Sequence, residues 1–317
     1  MRLWNNLAPR LTRAESGATA ATSYPLIGTD GHGLTEQIRF EMSSLSDPGC
    51  VRSVNEDAVA AVPELGLMVV ADGMGGHNAG KIAARLAIDN LVARVRGALA
   101  SAPPAGATDA EALLADAMQQ AHAEIAKRAA GEEQLKGMGS TVACALFHGE
   151  LATIAHLGDA RAYRLSAGKL RLLTRDHSLT QQVRDLGVIG EDAIAASHNR
   201  HLVSHALGHG ESPPVAVTTV PCMADDVFLL CTDGLNDMVD GVDIELALRV
   251  LRSNLPLAVE QLVMIARDNG GYDNITVALA GPPASAAATT TAAAAPEPVG
   301  AIGRLAGWLR SLLGTRH

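Results

Sequence analysis

Residues 140–156 read Ser140-Thr141-Val142-Ala143-Cys144-Ala145-Leu146-Phe147-His148-Gly149-Glu150-Leu151-Ala152-Thr153-Ile154-Ala155-His156. Two short runs of apolar and β-branched residues are separated by His148-Gly149-Glu150. That pattern predicts two strands joined by a tight turn. A third run, Arg161 to Leu165, ends at a second turn signal, Ser166-Ala167-Gly168. Strands joined this closely must be antiparallel, because a parallel pair needs a crossover of a dozen or more residues.

Towards the N-terminus the pattern changes to helical spacing. Leu113, Ala117, Ala121 and Ile125 share one face of a helix predicted over about 109–128. Pro103-Pro104 breaks the chain. Ile82, Leu86 and Leu91-Val92 give another helix over about 78–96. Leu65 to Ala71 reads as a buried strand. Gln37 to Met42 alternates like a half-buried one. Towards the C-terminus, residues 174–212 are polar, rich in histidine, and helical or irregular. Val227 to Cys231 is a further buried strand. Helices follow near 243–253 and 256–268, and Asn274 to Ala280 is the last strand. Strands in the middle with helix pairs on either side predict an α+β protein with largely antiparallel sheets.

The ends read differently. Residues 1–35 lack periodicity and read as a flexible arm. Patterned sequence covers residues 36–281. Residues 282–298, with Ala287-Ala288-Thr289-Thr290-Thr291, form a Pro/Ala/Thr-rich linker. Residues 299–317 place Ile302, Leu305, Leu309 and Leu312-Leu313 on one helical face, with Arg304 and Arg310 off it. This amphipathic helix has two readings: contact with a partner or an acidic membrane surface, or folding back on the domain or remaining disordered.

Bulk properties exclude several classes. A formal net charge of −9, without a basic stripe, argues against nucleic acid as a partner. Aromatics are only 3% of the chain, so the core must be built from Ala, Val, Leu and Ile. Cys50, Cys144, Cys222 and Cys231 form no C-x-x-C pair and read as buried reduced thiols. No signal peptide or apolar span is visible, so a cytoplasmic monomer is expected.

Five aspartates recur in one kind of setting. Asp57 lies in Arg52-Ser53-Val54-Asn55-Glu56-Asp57. Asp72, Asp159 and Asp233 come directly off apolar strands. Asp273 sits in Gly270-Gly271-Tyr272-Asp273-Asn274. Taken singly, each Asp-Gly is a common turn. Taken together, strand ends converge at one edge of a sheet structure. Converged carboxylates repel unless a cation neutralises them, and Mg²⁺ or Mn²⁺ takes oxygen ligands. Two such ions can activate one water for in-line attack on phosphorus. No G-x-S-x-G elbow, C-x5-R loop or P-loop is present.

The ordered motifs are Arg52-x-x-Asn55-Glu56-Asp57, Asp72-Gly73-Met74-Gly75-Gly76-His77, Gly137-Met138-Gly139-Ser140-Thr141, Gly158-Asp159-Ala160-Arg161, Asp176-His177-Ser178-Leu179, Cys231-Thr232-Asp233-Gly234-Leu235 and Asp273-Asn274-Ile275-Thr276-Val277. Over about 37–280 the chain resembles the bacterial branch of the type 2C metal-dependent Ser/Thr protein phosphatases. The resemblance implies a four-layer αββα sandwich: two antiparallel sheets flanked by pairs of helices, with a flap at about 174–212. It implies hydrolysis of phosphoserine and phosphothreonine in proteins, opposite a bacterial Ser/Thr kinase. Two Mn²⁺ or Mg²⁺ ions are implied in the core site. Asp72 would bridge both, with the Gly73 carbonyl as a further ligand. Asp233 and Asp273 would complete the second ion's shell. Glu56 and Asp57 would hold ion-bound waters, and Asp159 with Asp233 a third ion. Arg52 would grip the substrate phosphate, a task suited to a guanidinium fork.

Two departures stand out. Many eukaryotic relatives carry a histidine, proposed as general acid, where this chain has Met74. A water near Asp159 or His77 are the alternatives for that role. Asp159-Ala160 replaces a common Asp-Ser. His198, His201, His205 and His209 admit a zinc reading, against that of a solvated or substrate-facing patch.

Overall fold

Residues Leu67 to Ala71 are apolar without alternation because both of their faces are covered. Leu67, Val69 and Ala71 point to one core, and Met68 and Val70 to another. The computed structural model describes residues 40–76, 78–187, 202–211 and 213–282. His77, His198, His201, the arm, the linker beyond Pro282 and the C-terminal helix lie outside them.

Among the described residues ten strands form two five-stranded, wholly antiparallel sheets. They are β1 (Glu41–Asp47), β2 (Ala58–Val62), β3 (Leu67–Met74), β4 (Gly139–His148), β5 (Leu151–Leu157), β6 (Arg161–Ser166), β7 (Lys169–Leu172), β8 (Ala216–Pro221), β9 (Val227–Cys231) and β10 (Ile275–Gly281). One sheet runs β1-β10-β9-β6-β7 and the other β2-β3-β4-β5-β8. The helices are α1 (Ala79–Ser101), α2 (Ala107–Gly131), α3 (Leu179–Leu186), α4 (Asp233–Asn236), α5 (Gly241–Leu251) and α6 (Leu255–Asp268).

Three apolar clusters define the four layers. Met68, Val70, Ala143, Ile154, Leu230 and Ala278 fill the space between the sheets. Phe40, Phe147 and Phe228 meet there with ring centroids 4.8–5.9 Å apart. These are all the phenylalanines of the chain. Ala83, Ala87 and Leu91 of α1 and Leu114, Met118 and Ile125 of α2 cover the β3–β4 sheet. Ile244 and Leu248 of α5 and Val259 and Leu262 of α6 cover the β9–β10 sheet. The αββα sandwich expected from sequence is the fold observed. No helix among the described residues is long and apolar enough to cross a membrane.

Local chemistry sets the boundaries. His148 pairs with Leu151, leaving a two-residue turn at Gly149-Glu150. Ser166 pairs with Lys169 across Ala167-Gly168, whose φ angles of 47° and 74° are both left-handed. That is the turn geometry matching the twist of a hairpin. The Asp240 carboxylate accepts from the amides of Val242 and Asp243 to cap α5. Asn254 caps α6 through Leu257 N–H, with proline in the first turn. α6 thus starts at Leu255, one residue before the expected proline.

Several expectations need correction. β2, β7 and β8 were not expected. β2 is Ala-Val-Ala-Ala-Val, too small in side chain to announce a strand, and β7 and β8 are outermost strands with few buried residues. β1 runs from Glu41 to Asp47, later than Gln37 to Met42. Asp72 lies within β3, paired with Thr141, rather than beyond the strand's end. Cys144, Cys222 and Cys231 are buried, but Cys50 is exposed because it sits on the loop after β1.

Candidate metal centre

Both sheets deliver carboxylates to one edge of the sandwich. Arg52, Glu56 and Asp57 lie on the loop from β1 to β2. Asp72 ends the apolar part of β3. Asp159 lies where the chain passes from β5 in one sheet to β6 in the other. Asp233 begins α4 directly after β9, and Asp273 lies two residues before β10. The sandwich therefore brings together residues up to 221 positions apart, as the Arg52–Asp273 contact records.

Close approach explains the glycines. A Cβ on Gly73 would lie 2.0 Å from the Gly80 carbonyl oxygen, where the start of α1 presses on the end of β3. A Cβ on Gly234 would lie 1.9 Å from the Asn274 carbonyl oxygen. Both Asp-Gly pairs are thus contact points rather than free turns.

A chain of hydroxyls orients Asp57. Asn55 Nδ2 donates to Ser46 Oγ at 2.8 Å, and Ser46 Oγ lies 2.7 Å from Thr276 Oγ1. Thr276 Oγ1 donates to Asp57 Oδ2 at 2.7 Å, and Thr232 Oγ1 donates to the same oxygen at 2.9 Å. Asn274 fastens the same loop from below. Its Oδ1 accepts from Glu56 N–H at 2.8 Å, and its Nδ2 donates to the carbonyls of Pro48 and Val54. Thr232, Asn274, Thr276 and Ser46 had no assigned role from sequence. The signal lay in the quoted Thr-Asp-Gly and Asp-Asn-Ile-Thr motifs, whose polar residues flank the aspartates.

Electrostatics show the crowding. Burial pushes the Asp57 carboxyl up to about 7, against the pull of the two threonine hydroxyls, with Asp233 and Asp273 adding repulsion. Asp72 is held well above the carboxylate range by burial and then by Asp57, Asp233, Asp159 and Asp273. Asp159 is raised by burial, then by Asp233 and Asp176. Glu56 is raised by burial, with the amides of Lys81 and Gly80 at the start of α1 pulling the other way. Glu56 Oε1 and Asp57 Oδ1 are buried with no hydrogen-bond partner among the described residues.

This donor set fits a divalent cation. It is all oxygen, it is repulsive as it stands, and it holds two buried oxygens with unmet demand. Among the described residues no three His, Cys, Asp or Glu side chains stand close enough together to hold an ion as they are placed. Arg52 lies at the rim, its Nη2 2.7 Å from Asp273 Oδ2. That bond raises the guanidinium's pKa further above its already high ordinary value.

Met74 is half-buried and carries no titratable proton. His205 edges against His177, which stacks on His156 at 4.8 Å. His209 Nε2 lies 2.9 Å from the Gly137 carbonyl oxygen. These two members of the expected histidine patch therefore join separate contacts. His177 Nδ1 is the acceptor for Gly158 N–H at 3.4 Å, and burial followed by the neighbouring imidazoles pushes its pKa down to about 4.

The family model described as Protein phosphatase 2C matches residues 51–253. A serine/threonine protein phosphatase of Mycobacterium tuberculosis, PstP, is 36% identical over 236 residues, which cover 74% of this chain and 43% of that protein. The chain thus spans less than half the length of that relative. A serine/threonine phosphatase of Listeria monocytogenes, stp, is 34% identical over 239 residues, covering 74% of this chain and 92% of that one. The crystal structure of the PstP catalytic domain with two manganese ions superposes with a TM-score of 0.64 at 33% identity, covering 76% of this chain and 97% of that one.

Proposed function

Because this chain belongs to the protein phosphatase 2C family, we propose that it hydrolyses phosphoserine and phosphothreonine esters of proteins with divalent cations as cofactors. The observation that carries this reading is the cluster of Asp57, Asp72, Asp159, Asp233 and Asp273 with Arg52 at its rim. A phosphate monoester near neutral pH is close to a dianion and would be repelled by that cluster alone. Cations held there reverse the sign of the local field.

Asp72 would hold both ions of the core site, with the Gly73 carbonyl as a further ligand. Asp233 and Asp273 would complete the second ion's shell, and Glu56 and Asp57 would hold ion-bound waters. Asp159 with Asp233 would hold a third ion. When bound, Mn²⁺ or Mg²⁺ supplies Lewis acidity and a water made nucleophilic at neutral pH. The chain's own residues do the positioning. Arg52 exchanges part of its bond to Asp273 for the phosphate oxygens and fixes the phosphorus for in-line attack. Thr276 and Thr232 keep the Asp57 carboxylate turned into the site. Met74 donates no proton, so the leaving alkoxide is protonated from elsewhere in the site.

Residues 36–281 form the catalytic domain in this reading. Residues 1–35 are an arm, 282–298 a linker and 299–317 a separate amphipathic helix available to a partner or membrane surface. The protein acts as a cytoplasmic monomer on phosphorylated proteins, opposite a Ser/Thr kinase. The strongly acidic composition supports protein rather than nucleic-acid partners.

The test is phosphate release from phosphothreonine, phosphoserine and phosphotyrosine peptides, each with Mn²⁺ and with EDTA. Metal-dependent release from the first two is expected. A folded protein that binds the peptides without releasing phosphate would instead be a phosphopeptide-binding module.

A further inference from the structure

At the edge of the β2-β3-β4-β5-β8 sheet away from the metal centre lies a cavity of about 480 Å³. β5 starts beside it at Leu151 and ends at Leu157, just before Asp159. At ~3.3 Å per strand residue the two places stand roughly 20 Å apart. Pro104, Leu151, Pro221 and Met223 give the cavity apolar walls, and His148 and Glu150 give it polar groups. Among the described residues no Lys or Arg lines it. Met223 is 59% exposed, a large apolar side chain left in water.

A buried relay sets the state of the imidazole. The Glu111 carboxylate of α2 accepts from Thr219 Oγ1 at 2.7 Å. Thr219 Oγ1 lies 3.0 Å from Thr153 Oγ1, which lies 2.9 Å from His148 Nε2. Each hydroxyl has one proton to give. Thr219 gives its proton to Glu111, so Thr153 donates to Thr219 and His148 Nε2 donates to Thr153. His148 is thereby the Nε2–H tautomer, and the lone pair of Nδ1 is left as an acceptor. Burial lowers the imidazole's pKa, which keeps it neutral near pH 7.

Apolar walls, one acceptor and one carboxylate match a large apolar group with a single N–H donor and a cation next to it. Tryptophan is the side chain with an apolar body and one donor, the indole Nε1–H. Neither tryptophan of the chain, Trp4 or Trp308, is among the described residues. Trp4 stands in Arg2-Leu3-Trp4-Asn5-Asn6-Leu7, and residues 1–13 hold three arginines and no acid in a chain of net charge −9. The chain also enters the domain beside the cavity. Phe40 is the first described residue, and its ring centroid lies 4.8 Å from that of Phe147, the neighbour of His148. Trp4 lies 36 residues ahead of Phe40, and even a random coil of that length has its ends roughly 30 Å apart. Such a tether sets a local concentration on the order of a millimolar. We propose that the cavity is the docking site of the chain's own N-terminal segment, with the Trp4 indole against the apolar walls, its N–H on His148 Nδ1, and Arg2 beside Glu150.

The test uses the full chain carrying Trp308→Phe, in which Trp4 is the one tryptophan. Its emission should be blue-shifted, and acrylamide should quench it roughly threefold less steeply than free tryptophanamide, because docking takes ~150–250 Å² of the side chain out of water. Met223 and Glu150 are exposed, so Met223→Asp and Glu150→Lys should leave the circular-dichroism melt unchanged while each brings quenching back towards the free value. Arg2→Glu should restore the shielding in Glu150→Lys, a charge exchange that a general loosening of the domain would not reverse. Trp4 quenched like free tryptophanamide in the parent chain overturns the proposal. So does shielding that both cavity variants leave untouched, and so does shielding that fades on dilution, which makes the contact one between two copies. If the Trp4→Phe chain, with Trp308 as its one tryptophan, shows the cavity-dependent shielding instead, another segment fills the cavity and the proposal falls.

Discussion

Replacing Thr276 with valine removes one hydroxyl and little else. The side chains have nearly the same shape, and Thr276 is fully buried. Its hydroxyl donates to Asp57 Oδ2 at 2.7 Å and stands 2.7 Å from Ser46 Oγ. A hydrogen bond to a charged group contributes roughly 1.5–3 kcal/mol. Asp57 would keep only Thr232 as a donor to that oxygen, while Oδ1 already lacks a partner among the described residues. The expected loss is therefore about 2 kcal/mol at pH 8, or a fall in Tm of about 4–8 °C for a domain of this size. The loss also acts on the cation. Burial raises the Asp57 carboxyl to about 7 even with the Thr276 hydroxyl pulling it down, so removal of that hydroxyl favours the protonated acid further. Proton and cation then compete for the same group. Outer residues that orient ligands carry about 10–100-fold of metal affinity. The Mn²⁺ concentration for half-maximal turnover should therefore rise at least about tenfold at pH 7, and less at pH 8.5. Thermal unfolding by circular dichroism and a Mn²⁺ titration of p-nitrophenyl phosphate hydrolysis measure the two effects. Thr276→Ser, which keeps the hydroxyl, should stay near wild type in both. A valine variant with wild-type Tm and wild-type Mn²⁺ requirement would refute the claim that this hydroxyl chain orients Asp57.

Other perturbations follow from the same contacts. In EDTA, Asp57, Asp72 and Asp159 have folded-state pKa values above their unfolded ones, so their ionisation is penalised in the fold. That penalty is full above the folded values and vanishes below the ordinary carboxylate range, so the metal-free protein should melt higher at pH 6 than at pH 8; saturating Mn²⁺ should reverse the trend. Gly234→Ala drives a Cβ to 1.9 Å from the Asn274 carbonyl oxygen, backbone against backbone, and should cost about 3 kcal/mol or more by denaturant unfolding. Asp226→Asn breaks the pair with Arg164, 2.6 Å apart around a carboxylate 1% exposed, and should lower stability by about 3 kcal/mol. Arg52→Lys keeps the charge but not the fork, and should raise KM for phosphopeptides more than it lowers Tm.

The sequence exposed the layers where chemistry repeats and hid them where it does not. β4, β5 and β9 are continuous apolar runs because both of their faces are buried, and runs of that kind are visible without a structure. β2 is nearly all alanine and valine, and β8 mixes threonine with valine at the sheet's outer strand. Neither departs from what a loop could contain. Asp72, Asp159 and Asp233 were legible because each ends an apolar run and abuts a glycine, and Asp57 and Asp273 because they sit in ordered motifs. Their neighbours were not, since Ser46 and Thr276 are ordinary strand residues, and Thr232 an ordinary strand-to-helix link, until the fold sets them within 3 Å of one another or of Asp57.

The central claim is that the converged carboxylates form a divalent metal centre. Calorimetric titration of Mn²⁺ into the purified, EDTA-stripped protein, beside Asp72→Asn, tests it most directly. Saturable binding of about two ions per chain, with proton release and a large loss of affinity in Asp72→Asn, is the expected result. Equal binding by both proteins, or none by a folded wild type, would contradict it.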